Sequence, residues 1–314
     1  MRKALGIGVV LVLVAGAAAW SLGSSASDVL AARGGRASVV DIVATGHHFG
    51  APSEVPSGWT TFRLHNRSGA THFALIERMP EGKTVEDSKA EVVPVFQTAM
   101  DLINAGDPAA GFAYFANLPA WYFEIVFMGG PGLVDPGMTA QTTVYLEPGT
   151  YVIECYVKTP DGVFHSAHGM IEGLTVTDEP SGAPEPRADL QMTLSNSGLE
   201  VHGEVRPGRQ TIAVDFAEQM VHGNFLGHDV HLARIDDGTD LDALASWVNW
   251  VVDLETPAPV EFLGGAHEMP AGTRAYFTVH LTPGRYALIA EVDDPAGKNL
   301  LQTFSVPFGV ETGP

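Results

Sequence analysis

Between residues 146 and 177 the chain gathers a thiol, two imidazoles and a thioether: Cys155, His165, His168 and Met170. Cys155 is the only cysteine in the 314 residues, and the spacing is Cys-x9-His-x4-Met. A thiolate and two imidazoles in one plane, with a weak axial thioether, suit copper in electron transfer, because soft sulfur favours Cu(I) and imidazole serves both oxidation states. His168 competes for a place in that plane. Only one residue separates it from Met170, too little chain to span an ion, so it reads as a surface group.

The elements that must position these groups read as β. Pro148-Gly149 is a turn, an alternating run ends at Cys155, Pro160 and Gly162 shape a loop, and a second run follows at 174–176. Upstream, 38–43 and 60–64 alternate, and His72, Ala74 and Ile76 are expected on one face of a strand with Phe73, Leu75 and Glu77 on the other. Thr84 to Asp87 has the form of a capping box, and Val92, Val93, Phe96, Met100 and Ile103 follow at helical spacing, with Pro94 as a kink or break. The aromatic-rich segment 112–127 reads as packing of this insertion onto a sheet.

Tyr151 to Cys155, then His165 to Gly169-Met170, resembles the ligand loop of the cupredoxins: Tyr-x-x-x-Cys followed by His-x-x-x-Gly-Met before the last strand. The stretch between Cys155 and His165 is much longer than in plastocyanins and nearly matches that of copper nitrite reductases. The resemblance implies a further histidine far upstream, after a strand ending in Asn, and Asn66-Arg67-Ser68-Gly69-Ala70-Thr71-His72 is similar to that segment. The implied ligands of one copper ion are His72, Cys155, His165 and Met170, within residues 38–178, with Asn66 tying two loops together. Secreted bacterial cupredoxin-like domains of no assigned activity are similar too. Multicopper oxidases and copper nitrite reductases place a histidine immediately before the copper cysteine. Here that residue is Glu154 and no His-x-His pair occurs, so an enzyme of that type is not expected.

Beyond residue 189 the chain repeats itself. Gly129-Gly130, Thr143-Val144-x-Leu146-x-Pro148-Gly149-x-Tyr151, Val157 and Pro160-x-Gly162 recur as Gly264-Gly265, Thr278-Val279-x-Leu281-x-Pro283-Gly284-x-Tyr286, Val292 and Pro295-x-Gly297, at a constant offset of 135. A fixed offset over a whole hairpin argues for duplication. The second copy keeps the scaffold, including a helix expected over 241–252, but not the ligands. Ala290 stands for Cys155 and Phe216 for Asn66, nothing replaces His165 or Met170, and only His228 falls opposite His72. His228 and His231 offer at most an imidazole-only site; His47 and His48 read as an exposed pair, and His202, His222, His267 and His280 have no readable role.

A formal net charge of −20 repels phosphate backbones and anionic lipid, so nucleic acid is not an expected partner. One cysteine excludes an intramolecular disulfide. Residues 1–27 read as a signal peptide or N-terminal anchor, the only expected contact with a membrane, and 28–37 as a tether. Residues 38–178 form the first domain, 179–189 a Pro-rich linker and 190–314 the second. The expected fold is all-β: two tandem Greek-key β-sandwich, cupredoxin-like domains with a helical insertion in each. The expected function is an exported protein that binds one copper and passes single electrons to a redox protein partner. A metal-free binding or assembly protein and a copper storage or delivery protein are the alternatives. Neither a Gly-x-Ser-x-Gly elbow nor a zincin helix is present.

Overall fold

The computed structural model describes residues 38–307; the expected signal segment and tether lie outside the described residues. The first half contains β1 (Ser38–Thr45), β2 (His48–Gly50), β3 (Glu54–Asn66), β4 (Leu75–Arg78), β5 (Val126–Phe127), β6 (Thr139–Leu146), β7 (Gly149–Glu154) and β8 (Ile171–Pro180). The second contains β9 (Leu190–Ser195), β10 (Gly198–His202), β11 (Gly208–Phe216), β12 (Val230–Ile235), β13 (Glu261–Ala266), β14 (Thr273–Leu281), β15 (Gly284–Asp293) and β16 (Asn299–Val306). The architecture is the expected pair of β-sandwiches. β6 shows why: Ala140, Thr142, Val144 and Leu146 alternate inward with period two and are fully buried.

The long strand β3 turns the first sandwich's corner. Its C-terminal part lies between β1, parallel, and β6, antiparallel, while its N-terminal part runs parallel to β8 in the facing sheet β8-β7-β4-β5. The second half repeats this plan, with β9 parallel to β11 and a facing sheet β13-β12-β15-β16.

The halves join through equivalent elements. β6 pairs antiparallel with β14, and Thr142 lies opposite Phe277, its own counterpart in the repeat. A second ribbon does the same around Pro131 and its counterpart Ala266. There the Gly129 amide donates to Glu268 O (2.9 Å) while the corresponding Gly264 amide donates to Leu133 O (2.7 Å). Gly132 donates to Gly265 O (3.4 Å) and its counterpart His267 to Gly130 O (3.2 Å). The duplicated halves are thus related by a pseudo-two-fold axis through this junction, like a dimer fused into one chain.

Residues 71–77 are all buried: Phe73 packs on His267 of the second half, while Leu75 and Glu77 face Val92, Phe96 and Tyr122 of the helical insertion together with Phe225. The strand begins only at Leu75, with His72 held by an isolated bridge to Val134.

Thr84 and Asp87 form the capping box, a π-helical turn at Ser88–Val92 precedes Pro94, and the helix Val93–Asn104 follows. A further helix, Pro108–Tyr114, is capped by Asp107. Phe96, Phe115 and Tyr122 meet Phe225 and Trp250 of the second half, so these aromatics pack the insertion across the junction. The second insertion, Leu241–Val248, is shorter than expected at its C-terminal end. No helix among the described residues is long and apolar enough to cross a membrane.

Gly130 and Gly265, counterparts with φ of +120° and +146°, press against Ala74 O and Val230 O, where a Cβ would collide with backbone. Gly130→Ala or Gly265→Ala should therefore each lower unfolding free energy by about 2–4 kcal/mol, against about 1 kcal/mol for Gly272→Ala, which has positive φ but open space. Denaturant titration checks the ranking.

Candidate metal centre

His72 reaches its position through the turn that Asn66 clamps. The buried Asn66 amide donates to Ala70 O (2.7 Å) and Val134 O (2.9 Å), and its Oδ1 accepts from the Ser68 amide (3.0 Å) and hydroxyl (2.8 Å). This is the loop-tying role expected for it. His72 Nε2 lies 2.7 Å from Ser68 Oγ, whose hydroxyl also reaches Asn66 Oδ1 (2.8 Å) and Ala70 O (3.0 Å). When the hydroxyl proton points to either of those oxygens, Nε2–H donates to Oγ and the lone pair of His72 lies on Nδ1.

That Nδ1 faces the two other groups. Cys155 Sγ is 3.7 Å from His72 Nδ1 and 3.6 Å from His165 Nδ1, and the two nitrogens are 3.1 Å apart. All three residues have no solvent exposure. A circle through the three atoms has a radius of about 2.0 Å, against ~2.0–2.3 Å for bonds from imidazole and thiolate to a divalent transition ion. The donors form the plane of a trigonal site, and their spacing fits an ion. Met170, also fully buried, is stitched between two of them: its amide donates to His165 O (2.9 Å) and its carbonyl accepts from the Cys155 amide (3.1 Å).

The long loop between Cys155 and His165 is braced from two sides. Gln97, on the helical insertion, accepts from the Phe164 amide (2.9 Å). From the second half, Leu254 O accepts from the Lys158 amide (2.9 Å), and the Lys158 ammonium is buried 3.7 Å from Glu255.

Burial governs the electrostatics. The His72 and His165 imidazoles are pushed down to about 3 and about 2, by loss of solvent first and by neighbouring histidines second. Burial pushes the Cys155 thiol up to about 12, against the lowering effect of the Phe73 and Val157 amides. Without a bound ion the cage is thus electrically neutral near pH 7.

The sequence reading missed His47. Its ring stacks on His165 (4.4 Å between centroids) and on the exposed His168 (4.9 Å), so three imidazoles lead from the buried ligand position to solvent. His48 is exposed, as expected of it. No spacing rule marked His47, because it arrives from a turn remote in sequence.

No protein-family model and no curated sequence matches the chain. Among solved structures it is similar to the dithionite-reduced auracyanin of Roseiflexus castenholzii: 27% identity over 46% of this chain and 99% of that one, TM-score 0.28. It is similar also to auracyanin A of Chloroflexus aurantiacus, a "blue" copper protein, at 21% identity over 45% and 100% of the two chains, TM-score 0.28. The copper-containing nitrite reductase of Thermus scotoductus is similar over 85% of this chain and 61% of its own, at 14% identity and TM-score 0.22. Both halves are β-sandwiches. The assignment of the site rests on this chain's own side chains.

The second half has no thiolate cage, since Cys155 is the only cysteine of the chain. Ala290 is buried where Cys155 stands, and His228, opposite His72, faces His222 with a ring separation of 5.2 Å and neither of its own nitrogens partnered.

Between the depressed imidazoles and the raised thiol, the only proton an incoming ion must displace at neutral pH is that of Cys155. Zn2+ affinity should therefore rise about tenfold per pH unit from pH 5 to 8, with one proton released per ion. Calorimetry in buffers of different protonation enthalpy measures the release; a slope of zero would contradict the neutral cage.

Proposed function

We propose that His72, Cys155, His165 and Met170 bind one copper ion and that the chain carries single electrons as an exported protein. The observation that carries this reading is the triangle of buried donor atoms 3.1–3.7 Å apart, drawn from residues 83 and 93 positions distant in sequence. Thiolate, imidazole and thioether together select copper over harder ions, and bound copper supplies one-electron chemistry. The chain's own contribution is rigidity. Asn66 and Ser68 hold the turn that carries His72, Met170 is held by hydrogen bonds to both Cys155 and His165, and Gln97 and Lys158 hold the loop.

The stacked rings of His165, His47 and His168 support electron passage at this end of the molecule, with a redox partner protein docking over His168. The net charge of −20 suits a partner with a basic face.

Adding Cu(II) to the metal-free protein should give an intense visible thiolate-to-copper band, which Cys155→Ser abolishes and Met170→Leu shifts without abolishing. A colourless wild type that still binds Cu(I) tightly would favour delivery, and one that binds neither a scaffold. Replacing His47 and His168 by Ala should slow electron exchange with a small redox reagent, measured by stopped flow, while leaving the band in place.

A further inference from the structure

The second half carries a cluster of buried ionisable groups that the loss of its thiolate cage does not explain. Asp229, His231, His267 and Glu291, none more than 3% exposed, each bring a donor atom to within 4.8 Å of the others. The strand registers place Asp229, His231 and Glu291 where the first half has Phe73, Leu75 and Tyr156. A copy kept only as scaffold gains nothing from charge at positions the first half fills with an aromatic ring or hydrocarbon, because buried charge is costly unless compensated. Among the described residues no lysine or arginine pairs with these carboxylates; their ion-pair partners are His231 and His267.

Hydrogen bonds sort the roles. The Leu133 amide donates to His231 Nδ1 (3.1 Å), so the neutral ring carries its proton on Nε2, 2.7 Å from Asp229 Oδ2 and 3.4 Å from Glu291 Oε1. A metal-bound imidazole donates from its other nitrogen, whereas His231 accepts there, which makes it a positioning residue between the two carboxylates. Asp229 Oδ1 is fixed by the Glu291 amide (2.8 Å) and Glu291 Oε2 by the Tyr156 hydroxyl (3.1 Å). Asp229 Oδ2, Glu291 Oε1 and His231 Nε2 are buried and close together without an aligned hydrogen bond, and His267 faces them through Nδ1, 3.9 Å from Asp229 Oδ2. The carboxylate oxygens and the His267 imidazole are the donor atoms left for an ion, and the outer oxygens of both carboxylates are already held.

We propose that Asp229, Glu291 and His267, oriented by His231, bind one divalent first-row transition ion at a site separate from Cys155. Two carboxylates and an imidazole without sulfur suit Zn2+, Co2+ or Mn2+ rather than Cu(I). The inference does not depend on the first site being filled.

Co2+ separates the two sites, since only the Cys155 cage gives a thiolate charge-transfer band. Full-length chain expressed with Co2+ present, so that the ion is available as the core closes, should carry two ions by elemental analysis. Cys155→Ser should keep one ion and lose the charge-transfer band. Asp229→Asn with Glu291→Gln, or His267→Gln alone, should keep the band and lose the other ion. His231→Gln should weaken that ion's retention against a chelator by roughly 10–100-fold without abolishing it. The retained band certifies folding of these variants; if wild type shows no band, thermal unfolding serves instead and the ion count still decides. The proposal fails if Cys155→Ser carries no ion, or if folded Asp229→Asn/Glu291→Gln protein carries as many ions as wild type.

Discussion

The structure depends on backbone pairing across the pseudo-two-fold junction. Two antiparallel ribbons cross there, β6 with β14 and residues 129–134 with 263–268, each centred where a residue meets its own counterpart. An edge strand left open would expose unpaired amides and carbonyls; pairing the two copies satisfies both edges at once. The close approach needs Gly130 and Gly265 at positive φ, with no side chain toward the neighbouring carbonyls. The glycine pair at an offset of 135 is therefore a packing requirement as well as a mark of duplication.

This pairing reaches the cage of His72, Cys155 and His165 directly. Val134 bridges His72 on one side and Leu263 on the other, and its carbonyl also accepts from Asn66. The loop between Cys155 and His165 is fastened to the second half at Lys158, whose amide donates to Leu254 O and whose carbonyl accepts from Thr256. A cage whose atoms hold their places with little reorganisation needs neighbours that do not move, and the second half provides them. The second half thus braces the cage although it carries no equivalent of Cys155, His165 or Met170.

Much of this was legible in the sequence. Asn66, Ser68 and His72 sit on one short turn, and Cys155, His165 and Met170 on one hairpin, so local spacing plus a single long-range pairing sufficed to anticipate that His72, Cys155 and His165 come together. The strand expected from His72 begins only at Leu75, and both of its faces are buried, the second by the insertion and the second half together; a linear reading does not show what covers a strand. His47 stayed hidden because stacking on His165 leaves no spacing signature. The second cluster did leave one. Extending the repeat to 156 between His72 and His228 aligns Phe73 with Asp229 and Leu75 with His231, and a swap of apolar for ionisable residues at core positions is the signal that went unread.

The axis also explains how the halves diverged without breaking the junction. Around a two-fold, equivalent positions face each other, so a change in one half must be met by the other. Tyr156 and Glu291 are counterparts and are hydrogen-bonded across the axis, phenol to carboxylate. His267 is the counterpart of Gly132, a residue whose missing side chain leaves room for the His231 ring: a Cβ there would lie 2.8 Å from its Nδ1. Phe73, the counterpart of Asp229, packs 4.3 Å from the His267 ring. The first half supplies a phenol, a phenyl ring and a space; the second supplies a carboxylate and two imidazoles that fit them. Duplication set the positions in pairs, and the pairs became complementary rather than alike. One half could thereby keep a neutral sulfur cage while the other gathered carboxylates at its edge, with Cys155 and Tyr156 adjacent in the chain and each turned to a different cluster.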